Sequence, residues 1–266
     1  MAATIVIGAG IIGTTTALYL ARQGLEVTVV ERREAAGLET SFANGGMLAA
    51  NCTLPWSSPG TPGHLFRWLG REEAPLLLRP RAIPAMASWG LRFLANCRGA
   101  KYRQTSAALT AFGQQSLAEM DALLADGTVQ ADIWRGGFLQ LHKGPNARAE
   151  ADTFARFLEG MGAEVDRLDA ADCAALEPTL VPVADTIGAG LLLKKDAWGD
   201  ARQFSAAAEK AATRAGARFR FGETVTRIEL DRGKVAAVHI GAERIPAERV
   251  VVCAGPWSTR LMRTYG

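Results

Sequence analysis

The N-terminal stretch TIVIGAGIIGTTTALYLARQGLEVTVVER constrains the fold more than any other part of this sequence. An apolar, β-prone run at residues 4–7 leads into the pattern G-x-G-x-x-G at residues 8–13. A helical stretch, 11–23, then ends at Gly24, a natural helix C-cap, and a second apolar run follows at 27–30. This order predicts a strand, a helix and a second strand, as in a Rossmann-like sheet.

Each glycine of the motif has a physical reason. Gly8 permits a tight turn after the strand, Gly10 lets the backbone approach a pyrophosphate, and Gly13 lets the helix pack closely on the strand. The helix N-terminus offers free N–H groups and a partial positive charge. Glu31, at the end of the second strand, can accept hydrogen bonds from ribose hydroxyls. The pattern therefore predicts a dinucleotide-binding site.

The motif alone leaves the choice between NAD and FAD open. Arg32 and Arg33 directly follow Glu31, and such arginines would suit a ribose 2′-phosphate. The acidic Glu31 at the ribose position opposes a phosphate there, so the sequence disfavours NADP.

The composition is that of an ordinary folded protein. Of 266 residues, 48% are hydrophobic and 21% charged, which is enough for one large domain or two modest ones. A net charge of +3 gives no reason to expect a nucleic-acid partner. No uncharged apolar run approaches the roughly 18 residues of a membrane span, and the N-terminus lacks the features of a signal peptide.

The cysteines and histidines are scattered along the chain and predict no metal site. Without a CxxC pair, the cysteines are expected to be reduced thiols in a cytoplasmic protein. His64 has no evident acid or base partner, and His142 and His239 are expected to be solvated side chains on strands, so the sequence assigns no catalytic residue. The cysteines are Cys52, Cys97, Cys173 and Cys253, and the histidines are His64, His142 and His239.

The middle of the chain is expected to form a second domain. A Pro/Gly-rich loop at 53–63 precedes helices at 83–94 and 105–125, whose apolar stripes are predicted to face the core. A strand within 134–143 and a helix at 146–160 follow. The stripe residues are Ile83, Met86, Ala87, Leu91 and Leu94 in the first helix and Leu109, Phe112, Leu117, Met120 and Leu124 in the second.

The C-terminal third returns to a dinucleotide-binding pattern. A strand from residue 190, a turn at Gly199-Asp200 and a helix to about Arg214 precede four short strands, FRF, TVTRIEL, KVAAVHI and ERI, which predict an antiparallel meander. RVVVCAG is typical of a strand buried on both faces in a parallel sheet. The expected α/β fold has a doubly wound domain with a β-meander (1–50 and 202–266) and a mixed sheet-and-helix domain (51–201).

Several stretches of the sequence resemble one flavoprotein family. VIGAGIIG…VTVVER is similar to its FAD fingerprint, and ETSFANGGM followed by PWSSPG matches its ETS-x-AN-x-G and PW-x-x-PG pair. GGFLQL, EPTL, the GD of DAWGD and VVVCAGPWS recur in the family's order. The chain thus resembles the D-amino acid oxidase/glycine oxidase-like FAD enzymes, and within them the D-amino acid dehydrogenases of the small-subunit type.

The resemblance implies FAD as cofactor and a role for each matching residue. Glu31, with Arg32 beside it, would hold the adenosine ribose, and Val225 would contact the adenine through its backbone. Ala254 and Gly255 would close on the cofactor where the last strand ends. The pyrophosphate residues would be Gly8, Gly10, Ile11, Ile12 and Gly13. The residues along the flavin side would be Ser41, Asn44, Gly45, Gly46 and Met47.

The reaction implied is oxidative deamination of a D-amino acid. Hydride would pass from the α-carbon to flavin N5, and the imino acid would hydrolyse to a 2-oxo acid and ammonia. A glycine-, sarcosine- or D-hydroxyproline-oxidising relative and a non-catalytic FAD-binding fragment or subunit are the alternatives. The electron acceptor (quinone, respiratory chain or oxygen), the oligomeric state and any partner chain stay open, as does peripheral attachment to the inner face of the membrane.

The resemblance also concerns length. Family members continue well beyond LMRTYG, where this sequence stops. The continuation would carry further substrate-domain strands and the arginine and tyrosine that hold the substrate carboxylate. The chain is therefore expected to be a fragment or a truncated gene product. Trp198 of DAWGD stands where this subgroup more often has a polar residue, and packing is the expected role of its side chain.

Overall fold

The computed structural model describes residues 3–74, 79–263 and 265, which fall into two compact units. Unit 1 comprises Met1–Met47, Met120–Trp134 and Trp198–Gly266, and unit 2 comprises Leu48–Glu119 and Arg135–Ala197. Both terminal segments therefore belong to one unit. The segment Met120–Trp134, which the sequence places in the middle domain, belongs to unit 1.

The secondary structure alternates strands and helices along the whole chain. The strands are β1 (Ala3–Ile7), β2 (Glu26–Glu31), β3 (Met47–Leu48), β4 (Ile133–Trp134), β5 (Phe138–His142), β6 (Val165–Leu168), β7 (Ala189–Leu193), β8 (Ala197–Gly199), β9 (Arg218–Phe221), β10 (Val225–Asp231), β11 (Lys234–Ile240), β12 (Glu243–Pro246) and β13 (Arg249–Val252). The helices are α1 (Ile11–Arg22), α2 (Thr61–Trp68), α3 (Ile83–Asn96), α4 (Gly99–Ala125), α5 (Ala147–Glu159), α6 (Ala170–Leu176), α7 (Ala201–Arg214) and α8 (Ser258–Met262).

A parallel sheet organises unit 1. Its four strands lie in the order β13-β1-β2-β9, and β1 pairs in parallel with both β2 and β13. Read from the other edge, this is the 3-2-1-4 order of a dinucleotide-binding half-sheet. The expected parallel strand RVVVCAG is β13. Its residues Val250 to Val252 are half-buried and pack against cores on both sides of the sheet.

The strand FRF does not belong to the meander that the sequence predicts. As β9 it pairs in parallel with β2, with Thr28 opposite Arg218 and Glu31 opposite Phe221. The reason is the preceding helix α7, which packs on α1 and returns the chain to the sheet edge in a crossover connection. The meander therefore has three strands, in the order β10-β11-β12.

The two faces of the parallel sheet bury alternate side chains. Val6, Val27 and Val29 face the layer of α1 and α7, where small alanines allow close helix packing. Ile5, Ile7 and Val30 face the meander, where Val225, Ile228 and Val238 complete a second core. The sheet thus lies between a helical layer and an antiparallel one. Because its strands run parallel, their carboxyl ends all lie at the same edge of the sheet.

Helix α7 starts where the sequence predicts a turn. Gly199 ends strand β8, and the side chain of Asp200 accepts hydrogen bonds from the N–H groups of Arg202 and Gln203. Asp200 is therefore the N-cap of α7, a position that aspartate favours because its carboxylate satisfies free helix N–H groups. The turn lies instead at Lys194 and Lys195, between β7 and β8.

Unit 2 has its own antiparallel sheet, β5-β7-β6, with α5 packed against it. Leu158 of α5 meets Leu191 and Leu193 of the central strand β7, and all three side chains are fully buried. The predicted loop at 53–63 is shorter than expected because α2 begins at Thr61. None of the helices among the described residues combines the length and apolarity that a bilayer crossing requires.

The predicted core role of the α3 and α4 stripes is wrong for most of their residues. Helix α3 has no buried residue, and Leu91 is 70% exposed. On α4, Phe112 is 72% exposed, whereas Leu123, outside the stripe, is buried at 4%. Apolar residues at helical spacing indicate that one face of a helix is apolar, but they do not indicate whether that face is buried.

Candidate dinucleotide-binding site

A cavity of about 820 Å³ lies within unit 1 at the carboxyl ends of the parallel strands. Its floor includes Ile7, Val30 and Val252, the last or nearly last residues of β1, β2 and β13. Ligands of open α/β sheets bind outside this edge, and cofactor pockets span roughly 300–1,000 Å³. Both the position and the size of the cavity suit a dinucleotide.

The three motif glycines have different roles in the structure. Gly8 has φ +103°, and a Cβ there would lie 2.5 Å from the carbonyl oxygen of Cys253. A Cβ on Gly13 would lie 1.8 Å from the Gly8 oxygen, so this glycine holds α1 against the turn and is not part of the cavity wall. Gly10 has an extended backbone and lines the cavity, so its missing side chain leaves space for a ligand.

The N-terminus of α1 faces this cavity, and its own first turn carries no acidic residue. Gly10 is the N-cap and has no side chain to cap the helix. Ser41 accepts a hydrogen bond from Ile11 N–H at 3.1 Å. Ile12, which is 64% exposed, also lines the cavity. The remaining N–H groups of the first turn can therefore bind an anionic phosphate.

Glu31 is buried at the end of β2 and reaches back to the glycine turn. Its carboxylate accepts hydrogen bonds from Ala9 N–H at 2.7 Å and from Arg33 N–H at 2.8 Å. It is 7% exposed and lines the cavity. A carboxylate accepts about four hydrogen bonds, so Glu31 keeps acceptor capacity toward ribose hydroxyls. It both fixes the glycine turn and offers acceptors to a ligand.

The two arginines after Glu31 share one carboxylate partner within the protein. Glu39 accepts hydrogen bonds from Arg33 Nε at 2.5 Å and from Arg32 Nη2 at 2.5 Å. The hydrogen bond from Arg33, followed by that from Arg32, lowers the pKa of Glu39 below its usual value. The Arg32 guanidinium also lies 4.2 Å from the centre of the Trp257 ring. Arg32 lines the cavity in this paired state, which fits a ribose without a 2′-phosphate.

Residues from three further segments complete the walls. Val225 lines the cavity at the start of β10, and Ala254 and Gly255 line it after β13. The sequence reading missed three groups of lining residues. Besides strand-end residues, the missed residues are Glu39 and Thr40; Glu223, Thr224 and Thr226; and Pro256, Trp257, Ser258, Arg260 and Leu261. Thr40, Thr224, Thr226 and Pro256 directly adjoin residues named from the sequence, so for these four, proximity was the available signal.

The loop residues Asn44 to Met47 lie outside the residues that line this cavity. Asn44 Oδ1 accepts a hydrogen bond from Gly46 N–H at 2.9 Å, and Gly46 has φ +61°. The Gly46 carbonyl accepts a hydrogen bond from Gly199 N–H at 2.9 Å. A Cβ on Gly46 would lie 2.3 Å from the Gly199 oxygen. Within unit 1 the structure thus fixes this loop against strand β8.

The histidines and thiols suggest no other chemistry. No group of three or more His, Cys, Asp or Glu side chains among residues 3–74, 79–263 and 265 is arranged to hold a metal ion. Cys253 lines the cavity, and burial raises the pKa of its thiol, which favours the unreactive protonated form. Burial, with the nearby Asp196 carboxylate, likewise raises the pKa of Cys52.

Comparison with known proteins identifies the family. The family model described as FAD dependent oxidoreductase matches residues 3–266. The chain belongs to the FAD-dependent oxidoreductase family. The parallel sheet, the glycine turn, the α1 N-terminus and Glu31 are therefore parts of an FAD-binding fold.

Similar curated proteins carry one name. A D-amino acid dehydrogenase of Dechloromonas aromatica (strain RCB) is 38% identical over 267 residues, covering 98% of this chain and 64% of the relative. A D-amino acid dehydrogenase of Phenylobacterium zucineum (strain HLK1) is 37% identical, covering 98% of this chain and 62% of the relative. The chain thus spans less than two thirds of the length of these relatives.

Solved structures share the fold of this FAD-dependent oxidoreductase at low sequence identity. A glycine oxidase from Bacillus cereus ATCC 14579 matches with a TM-score of 0.66 and 18% identity over 100% of this chain and 58% of its own. A glycine oxidase from Geobacillus kaustophilus matches with a TM-score of 0.67 and 20% identity, covering 59% of its own chain. This likeness shows the fold.

The cavity fits FAD, the cofactor of the family. The helix N-terminus lies beside a turn whose glycines leave no side chain between backbone and ligand. The buried Glu31 presents acceptors at the sheet edge, and Arg32 is held in an ion pair with Glu39. These features suit a diphosphate and an unmodified ribose.

Proposed function

We propose that this chain is the FAD-binding part of a D-amino acid dehydrogenase, which oxidatively deaminates D-amino acids. The observation that carries the proposal is the cavity at the carboxyl edge of the parallel sheet, with its glycine turn and buried Glu31. The curated relatives at 37–38% identity support the substrate class. An amino-acid substrate, rather than a macromolecule, is therefore proposed.

Bound FAD supplies the redox chemistry, accepting a hydride equivalent from the substrate α-carbon. The residues of this chain bind and orient the cofactor. In the proposed arrangement the N–H groups of α1 hold the diphosphate and Glu31 holds the adenosine ribose. Val225 contacts the adenine, Ala254 and Gly255 close on the cofactor after β13, and Ser41 with Asn44 to Met47 approach the flavin side. No general base on this chain is required for the hydride step.

The protein is proposed to be cytoplasmic. The four cysteines are all free thiols in the structure, as expected in a reducing compartment.

The relatives' name, a dehydrogenase, favours an acceptor other than oxygen. We propose a quinone or another respiratory-chain carrier as that acceptor.

The test is an anaerobic absorption spectrum of the purified chain loaded with FAD, before and after addition of D-alanine. Bleaching of the flavin band by D-alanine, but not by L-alanine, supports the proposal. Bound flavin that bleaches with glycine or sarcosine but not with D-alanine replaces the substrate assignment. Bound flavin that no amino or imino acid bleaches shows that this chain binds FAD without oxidising an amino acid by itself.

A further inference from the structure

The carboxylates that line the FAD cavity are already engaged within the protein. Glu31 accepts two backbone N–H groups, and Glu39 accepts hydrogen bonds from Arg32. The carboxylate of Glu223 forms an ion pair with Arg220, with Oε2 and Nε 2.7 Å apart. Each of these carboxylates therefore already has a hydrogen-bond donor or an ion-pair partner within the protein.

Arg260 differs from the other charged residues of the cavity wall. It lies on the short helix α8, is exposed and lines the cavity. No carboxylate within the described ranges (3–74, 79–263 and 265) pairs with it. The other lining arginine, Arg32, is held by Glu39 and lies over Trp257. Arg260 is thus the one lining cation of the described residues that is free to meet an anion.

The packing of α8 keeps Arg260 at this wall. The next residue, Leu261, packs on the core that Ile5, Ile7 and Val30 form with the meander, and it also lines the cavity. Tyr265, just beyond α8, donates its hydroxyl to the Ile228 carbonyl and accepts from Ile228 N–H. These contacts anchor the C-terminal end of α8 to the layer that bounds the cavity.

A dinucleotide ligand supplies the negative charge that Arg260 lacks within the protein. A dinucleotide carries a diphosphate, and the N-terminus of α1 neutralises it only by partial charges. A guanidinium binds phosphate oxygens with two parallel hydrogen bonds and is more weakly hydrated than an ammonium. We infer that Arg260 binds the diphosphate of FAD from a second wall of the cavity. This inference rests on the proposed function.

The test compares ligands with and without phosphates on the flavin-free chain. Calorimetric titrations would measure the affinities of FAD, ADP and adenosine for the unmodified chain, for Arg260→Gln and for the control Arg263→Gln. Arg263 carries the same charge at the end of α8 but does not line the cavity. Arg260→Gln is expected to weaken FAD and ADP about ten-fold or more, since charge-assisted hydrogen bonds have this magnitude. Adenosine affinity should change by less than about two-fold, as should all affinities of Arg263→Gln.

Three further measurements separate an effect on binding from an effect on folding. The ADP affinity of the unmodified chain should fall more steeply with added salt than that of Arg260→Gln, because one ionic contact has been removed. Arg260→Lys keeps the charge but loses the two parallel hydrogen bonds of a guanidinium. Its ADP affinity should therefore lie between those of the unmodified chain and Arg260→Gln. Urea unfolding of the flavin-free variants should give midpoints close to that of the unmodified chain.

The outcomes are distinguishable from failure of the proposed function. If the chain binds FAD and ADP, and Arg260→Gln binds both equally well, Arg260 has no phosphate role and FAD binding still stands. Equal losses for adenosine and ADP would also overturn the inference, because the effect would then be structural. A folded chain that binds neither FAD nor ADP overturns the proposed function and this inference together.

Discussion

At the scale of single residues, the three motif glycines are not equivalent, and this yields a testable difference. Gly10 has an extended backbone that any residue adopts, and a Cβ there would lie 3.3 Å from Ser41 Oγ. Gly10→Val should therefore fold while filling the space where a diphosphate approaches. We expect loss of FAD, measured as the flavin-to-protein absorbance ratio. Gly63→Val, where nothing lies within 4 Å of the added Cβ, is the control and should keep its flavin.

Gly13→Ala should act on folding instead. The new Cβ would meet the Gly8 oxygen at 1.8 Å, so α1 must shift away from the turn. Overpacking of this kind typically costs about 1–3 kcal/mol, which urea unfolding of the flavin-free chain would measure. Unchanged stability of Gly13→Ala would contradict the close approach of α1 to the glycine turn.

Glu31 is a second residue-scale case, because it has a structural role as well as a proposed ligand role. In the unmodified protein each carboxylate oxygen of Glu31 accepts one backbone N–H group. In Glu31→Gln an NH₂ group replaces one of these oxygens, so one backbone N–H group loses its acceptor. An unsatisfied buried donor costs roughly 1–3 kcal/mol. The flavin-free variant should therefore unfold at lower urea concentration. An unchanged midpoint with weakened FAD binding would show that Glu31 acts only on the ligand.

At the scale of elements, the meander carries an ion network that makes it acid-sensitive. Hydrogen bonds from Arg244 and then His239 lower the pKa of Glu229 from 4.5 to about 2. Because the folded-state pKa is depressed, the stabilisation is present above about pH 4.5 and is lost as the pH falls toward 2. Glu229→Gln should flatten the fall in unfolding free energy over this range. Glu248→Gln, outside the network, is the control, and identical acid profiles for the two variants would contradict the prediction.

The helices of unit 2 give a second element-scale prediction. Leu91 of α3 is 70% exposed, whereas Leu158 of α5 is fully buried against β7. Leu158→Ala should cost about 2–5 kcal/mol of unfolding free energy, and Leu91→Ala less than about 0.5 kcal/mol. Chemical denaturation of both variants checks this. A large loss in Leu91→Ala would show that the α3 face is covered in the folded protein.

At the scale of the whole molecule, local chemistry was predictable from the sequence and long-range packing was not. The glycine turn, α1 and Glu31 follow from contacts within a short segment, so their pattern already predicts the dinucleotide site. The strand β9 was misplaced because its short FRF pattern does not indicate which sheet edge it meets. Periodicity likewise gave the α3 and α4 helices but not their exposure.

The site shows the same division. Residues Glu39, Trp257 and Arg260 join the cavity only because the chain returns after β2 and β13 to the same sheet edge. Glu39 and Trp257 lie within the family-like stretches ETSFANGGM and VVVCAGPWS, whereas Arg260 lies outside every such stretch. The assignment of Asn44 to Met47 to the flavin side rests on the family resemblance and stays a prediction, since these residues do not line the cavity.

We propose that the cavity of unit 1 binds FAD through the α1 N-terminus and Glu31. The most direct measurement is a titration of the folded, flavin-free chain with FAD, followed by flavin fluorescence. We predict saturable binding of one FAD per chain that ADP displaces competitively and that Gly10→Val abolishes. A folded chain that does not bind FAD, or one whose FAD binding is unaffected by ADP and by Gly10→Val, would contradict the account.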